Sequence, residues 1–271
     1  MSIEVRSLNF SYGPRQVLRD IIFDIEPAQT LAILGPNGSG KTTLLNIIVG
    51  SLAQTSGSII YEGKTFKHFN PRKMAQLVGY VPQTIIPVFD YSVIDYVVTG
   101  CAPQIGTFER PQEKHYDIAM KYIREMGIEH LAEKSYRQIS GGERQQVSIA
   151  RALAQCPTYI LMDEPTSHLD FGNQIRVLKT IRQLAQSGFG VVFTTHNPDH
   201  ALLVGGKAAI IDRSGKLTFG NSHQLINEAL LSELYGVALC IKNIEGSDRK
   251  ICFAPYLSKG ENEYEDNNEH P

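Results

Sequence analysis

Five short apolar runs punctuate the chain: Thr30–Leu34, Leu77–Val81, Tyr159–Met162, Val191–Thr195 and Lys207–Ile211. Their aliphatic and β-branched content predicts strands. In T-L-A-I-L, Y-I-L-M and V-V-F-T-T the hydrophobicity is nearly continuous, so both faces are expected to be covered, as in a helix-flanked parallel sheet. Ile3, Val5, Leu8 and Phe10, and later Ile21, Phe23 and Ile25, alternate with polar residues and predict an antiparallel flank within the first thirty residues. Between Thr84 and Cys156 the period lengthens. Ser92–Thr99, Glu113–Met126 and Gly142–Gln155 carry helical spacing with no convincing strand, which predicts a helical subdomain inserted into an α/β core. The expected organisation is one domain over 1–257, with a core of 1–83 and 156–257 and a helical subdomain of about 84–155. Two short helical stretches and the segments Gly236–Ile241 and Lys250–Ala254 are peripheral, and the acidic tail 258–271 is expected to be disordered. No internal repeat is found.

Composition narrows the function classes. A chain of 271 residues, 42% hydrophobic and 20% charged, can bury a core, which excludes a mainly disordered or collagen-like protein. The net charge is -2, but Glu261, Glu263, Glu265, Asp266 and Glu269 all lie in the tail; without them 26 Lys and Arg face 23 Asp and Glu. That slight surplus is unlike the clustered basic surface of a nucleic-acid binder. Cys101, Cys156, Cys240 and Cys252 are widely spaced without a C-x-x-C pair, which disfavours a zinc site and a disulfide framework. Glu4 and Arg6 with no apolar run behind them predict no signal peptide, and no stretch approaches the ~18 apolar residues of a membrane span. Work at a membrane would go through a partner.

The chemistry begins at Gly35-Pro36-Asn37-Gly38-Ser39-Gly40-Lys41-Thr42, with Thr43 following, which fits G-x-x-x-x-G-K-[ST] between a predicted strand and a predicted helix. The glycines let backbone N–H groups turn inward around phosphate, Lys41 reaches the β- and γ-phosphates, and Thr42 is a ligand for Mg²⁺. Tyr159–Met162 ends in Asp163 and Glu164, at the sheet edge where the phosphate loop also lies. Asp163 suits Mg²⁺ and Glu164 suits polarising an attacking water. A strand ending in Asp-Glu also serves as an ordinary cap pair, and the upstream loop is what lifts it to a site. Ile139-Ser140-Gly141-Gly142-Glu143 opens a further helix, aiming backbone N–H groups and a hydroxyl at an anion; the plainer alternative is a serine N-cap. His196 and His200 are four residues apart, but Pro198 between them and the lack of a third ligand argue against metal binding.

With I-S-G-G-E 23 residues upstream of Asp163, the chain resembles the ATP-binding cassette ATPases, whose signature is usually written L-S-G-G-Q. The resemblance covers nearly the whole chain and implies a P-loop core with a parallel sheet, an antiparallel β flank and an inserted helical subdomain. It implies that Tyr12 stacks on adenine, that Gln83 contacts Mg²⁺ or water, and that Asp170 ends the S-H-L-D counterpart of S-A-L-D. It also implies that His196 hydrogen-bonds the γ-phosphate and that Ser140, Gly141 and Gly142 complete the site of a second copy. ATP, Mg²⁺ and a homodimer follow, with Thr42, Gln83 and Asp163 as metal ligands. F-D-Y-S-V-I-D-Y-V-V-T-G and Ser232–Val237 are most similar to importer ATPases for iron–siderophore, haem, cobalamin and related chelates or oxyanions. That implies integral-membrane permease subunits, indirectly a substrate-binding protein, and a place at the cytoplasmic face of the membrane. One departure is Gly100-Cys-Ala-Pro103, where those relatives often carry G-R-x-P. A soluble ATP switch protein without transport is the competing class; a small-molecule kinase would not explain I-S-G-G-E.

Overall fold

The computed structural model describes residues 2–65, 70–83, 89–106, 108–247 and 249–255. Strands β1 (Ile3–Tyr12) and β2 (Arg15–Ile25) form an antiparallel hairpin with Ile3 opposite Ile25 and Val5 opposite Phe23. β3 (Thr30–Leu34) runs into helix α1 (Lys41–Ile48), after which β4 (Ser56–Tyr61) pairs with β1 and the short β5 (Lys64–Thr65) pairs with β4. Helix α2 (Pro71–Leu77) leads directly into β6 (Val78–Val81). Leu77, expected in the strand, is thus the last residue of a helix. Asn70 caps that helix by accepting from the Lys73 N–H, and Pro71 has the fixed φ that suits a first turn.

From Gln83 to β7 the described residues hold helices α3 (Val93–Val98), α4 (Glu113–Glu125) and α5 (Gly141–Leu153), 3-10 turns, and no strand beyond an isolated bridge between Ser92 and Ser135. The chain then alternates: β7 (Tyr159–Met162), α6 (Phe171–Gln186), β8 (Gly190–Thr195), α7 (Pro198–Val204), β9 (Lys207–Ile211) and β10 (Leu217–Asn221). Helices α8 (Ser222–Leu225) and α9 (Glu228–Tyr235) and the hairpin β11 (Cys240–Asn243) with β12 (Lys250–Phe253) complete it.

The central sheet has the order β10-β9-β3-β8-β7-β6, parallel throughout except at β10, and the antiparallel sheet has the order β2-β1-β4-β5. This explains the unbroken hydrophobicity of the central strands. Leu31 and Ile33 of β3, with Tyr159 and Leu161 of β7, face one core shared with α1 and the antiparallel sheet. Ala32, Leu34, Ile160 and Met162 face a second core built with α3 to α7. Every position is buried because each alternate face has its own partner layer. Four of these parallel strands, β3, β8, β7 and β6, deliver their carboxyl ends side by side.

Candidate active site

Each of those four ends carries polar residues singled out above. β3 opens into the loop Gly35–Gly40, β7 into Asp163 and Glu164, β8 into His196, and β6 into Gln83. A cleft of about 530 Å³ lies against the ends of β3, β6 and β7, lined by Tyr12, Asn37, Gly38, Lys41, Thr42, Thr43, Gln83 and Glu164 among others, while Asp163 and His196 stand outside its lining. Tyr12 is 51% exposed and rests edge-on against Phe10, leaving a ring face for a planar group. Arg15 and Val17, on β2 across the hairpin turn, also line the cleft. Sequence reasoning missed both, since nothing local marks a hairpin residue as facing a loop twenty positions later.

The loop needs glycine for two separate reasons. A Cβ on Gly35 would stand 2.5 Å from the Ile211 carbonyl oxygen, and Gly40 has φ 102°, a region that side chains rarely enter. Gly40 precedes α1, whose N-terminus has no side-chain cap. Its first N–H groups therefore have no intrahelical partner and suit an anion. Ser39 adds a buried hydroxyl without a protein partner. The residues present fit a polyphosphate.

Lys41 is only 5% exposed. Its Nζ donates to the carbonyls of Gly35 at 2.9 Å and Pro36 at 3.1 Å, and stands 3.5 Å from Glu164 Oε1. Burial pulls the ammonium below its usual range, with the carboxylates of Glu164 and Asp163 opposing. Glu164 is a hub. Its Oε2 is 3.4 Å from Gln83 Nε2 and 3.5 Å from His196 Nδ1, so three of the expected residues, Lys41 included, meet at one carboxylate. Asp163 is buried behind it, accepting from Thr194 at 2.7 Å. Burial, and then this carboxylate, push the neighbouring Tyr80 phenol up to about 12. The hydroxyl of Thr42, the amide oxygen of Gln83 and the carboxylate of Asp163 are hard oxygen donors of the kind Mg²⁺ takes.

Ser140, Gly141, Gly142 and Asp170 do not line this cleft. They sit at the starts of α5 and α6. Ser140 forms a capping box with Glu143, its hydroxyl donating to Glu143 Oε2 at 2.7 Å while accepting from the Glu143 N–H. That hydroxyl and then the Ser140 N–H, which donates to the same oxygen at 2.7 Å, hold the half-buried Glu143 carboxyl below its usual range. Asp170 caps α6 through the Asn173 N–H at 2.8 Å. The two helix starts touch, for a Cβ on Gly142 would fall 2.5 Å from the Asn173 side chain.

His200 faces inward from α7, with Nδ1 at 3.2 Å from both Thr166 and Thr195, and burial holds it below its usual range. Among the described residues no three His, Cys, Asp or Glu side chains gather as a metal cluster. A second cleft, of about 760 Å³, is lined by Arg72, Tyr91, Asp95, Val98 and Tyr116 on α2, α3, α4 and the approach to α3. Phe89, 66% exposed, packs its ring against Tyr91. Ile85, Ile86 and Val88, which precede Phe89 in the chain, lie outside the described residues.

Comparison with known proteins places this geometry. Residues 18–167 match the family model of the ABC transporter. The chain is 35% identical over 236 residues to the molybdate import ATP-binding protein MolC of Haemophilus influenzae, covering 86% of this chain and 88% of that one. It is 33% identical over 247 residues to the hemin import ATP-binding protein HmuV of Roseobacter denitrificans, covering 88% and 92% respectively. Among solved structures it is similar to a chain of an inward-facing ABC transporter described as of metal-chelate type. That match has a TM-score of 0.83 and 31% identity, and covers 93% of this chain and 95% of the other.

Proposed function

The chain belongs to the ABC transporter family and is an ATP-hydrolysing subunit, and we propose that it works as a homodimer powering an importer of iron–siderophore, haem, cobalamin or an oxyanion. In this reading residues 1–257 act as one ATPase domain with a core of 1–83 and 156–257 and a helical subdomain of about 84–155. It sits peripherally at the cytoplasmic face of the membrane, on separate permease subunits fed by a substrate-binding protein. Among the described residues no helix is long and apolar enough to cross a membrane. The relatives' cargoes, molybdate and hemin, support the substrate class.

The observation that carries the reading is the convergence of Lys41, Gln83 and His196 on Glu164 beside a phosphate-shaped loop. Adenine stacks on Tyr12. The phosphates meet the uncapped N-terminus of α1, and Lys41 exchanges the carbonyls of Gly35 and Pro36 for phosphate oxygens. That exchange releases Glu164 from its ion pair. Its carboxylate then takes the proton as water attacks the γ-phosphorus and the bond to the bridging oxygen breaks, leaving ADP. His196 donates to the γ-phosphate and Gln83 orients the water. Thr42, Gln83 and Asp163 would hold Mg²⁺, which would supply charge neutralisation at the phosphates. Ser140, Gly141, Gly142 and Asp170 stand away from their own chain's cleft, which supports their serving the ATP of a second copy.

The second cleft, beside Tyr91, suits a short permease helix with Phe89 as an apolar anchor. Assembly with the permease in proteoliposomes tests the reading, with a ferric siderophore, haem, cobalamin and molybdate offered in turn. ATP-dependent accumulation of one of them is expected, and Phe89→Glu should abolish accumulation and permease stimulation while basal hydrolysis survives. ATP hydrolysis with no accumulation of any offered cargo would favour a soluble switch.

A further inference from the structure

Thr194 lies on β8, fully buried at 0% exposure, and makes two hydrogen bonds of 2.7 Å. The Glu164 N–H can only donate, so the Thr194 hydroxyl accepts from it and spends its single proton on Asp163 Oδ1. One hydroxyl thereby ties the side chain of one acidic residue to the backbone of the next. Glu164 needs such a tie, because its φ of 43° is in the left-handed region, unfavourable for a non-glycine residue. The sheet cannot supply it. The ladder to β6 ends one residue earlier, where the Asp163 N–H donates to the Val81 carbonyl at 2.8 Å. Two successive peptides are therefore pinned from opposite neighbours, Met162–Asp163 from β6 and Asp163–Glu164 from β8.

We infer that Thr194 is a positioning residue of the ATPase, aiming the Glu164 carboxylate through its backbone and the Asp163 carboxylate directly. It is buried behind the cleft and does not line it. Its neighbour Thr195 belongs to a different network, accepting from the Asn197 N–H at 3.0 Å and facing His200. The inference rests on Glu164 being the general base, and small displacements of a catalytic group cost up to about a hundredfold in rate.

The test is Thr194→Val, which keeps the shape and removes both bonds, beside Thr194→Ser, which keeps both bonds. The valine protein is expected to melt cooperatively and to bind a fluorescent ATP analogue within about threefold of wild type. Its kcat should fall by about 10- to 100-fold with KM changed by less than about threefold. Serine should restore kcat to within about threefold. In single turnover, Thr194→Val should cost clearly less in the Glu164→Gln background than alone, because part of its effect passes through Glu164. A valine kcat within twofold of wild type, a serine variant as slow as valine, or additive losses would overturn the inference. Should the valine protein not fold, Thr194→Ala against Thr194→Ser decides on the same readouts, and failure of both to fold would show a purely structural role. Turnover surviving in Glu164→Gln would instead remove the underlying assignment of the base.

Discussion

Replacing Glu164 with glutamine should separate two roles of one carboxylate. Glu164 Oε1 lies 3.5 Å from a Lys41 ammonium that is only 5% exposed. At that distance and an effective dielectric of about 20, the gross attraction is about 4–5 kcal/mol. Desolvation of both charges offsets much of it, and the carbonyls of Gly35 and Pro36 still hold Lys41, so the net loss should be about 1–2 kcal/mol. For a chain of this size that lowers the melting temperature by about 2–6 °C. With ATP bound the sign reverses, because the amide removes an anion that would repel the phosphates. ATP should therefore raise the melting temperature of Glu164→Gln by more than it raises that of wild type. Turnover should fall at least about a hundredfold, since the amide can orient water but cannot take its proton. Thermal melting with and without Mg-ATP and a phosphate-release assay read all three. An unchanged nucleotide-free melting temperature would refute the Lys41–Glu164 pairing, and hydrolysis within about threefold of wild type would refute the base.

Two further outcomes concern the segment that follows β8. Tyr235 on α9 donates to the His196 carbonyl at 2.7 Å, and burial pushes its phenol up, so it stays a donor at all ordinary pH. Tyr235→Phe should lower kcat by about 3- to 10-fold with nucleotide binding intact, the size of one lost hydrogen bond; an unchanged kcat would detach α9 from catalysis. His200, facing Thr166, Thr195 and Asn197 with His196 and Asp199 as its nearest charges, is held below its ordinary 6.5 by burial and then by His196. As pH falls through 6.5 the unfolded chain takes up the proton first, so stability present at neutral pH is lost progressively below that value. The melting temperature should drop between pH 7 and pH 5.5, and His200→Gln should flatten that drop.

Where a side chain's partners lie on both faces of a strand, the sequence is easy to interpret. T-L-A-I-L, Y-I-L-M and V-V-F-T-T are buried throughout because each strand lies between two cores, and their carboxyl ends carry most of the candidate site. What escaped sequence analysis depends on chain crossings. Arg15 reaches the cleft only through the β1–β2 turn, Tyr235 reaches His196 across 39 residues, and Thr194 reads locally as one more β-branched strand residue. Helix α2 was hidden for the opposite reason. Its Asn70-Pro71 start is a local signal, but Leu77 adjoins the apolar V-G-Y-V and blends into the strand. The signature serine caps α5, its plainer reading, and stands clear of its own chain's cleft.

The claim that two chains share each ATP is tested most directly by counting nucleotide retained on Glu164→Gln. After incubation with radiolabelled ATP and rapid gel filtration, the account predicts two ATP per two chains, eluting at the dimer position. Adding Ser140→Arg to the same chain should abolish that retention and return the protein to the monomer position, while leaving equilibrium binding of a fluorescent ATP analogue by the monomer within about threefold. One ATP retained per monomer, unaffected by Ser140→Arg, would contradict it.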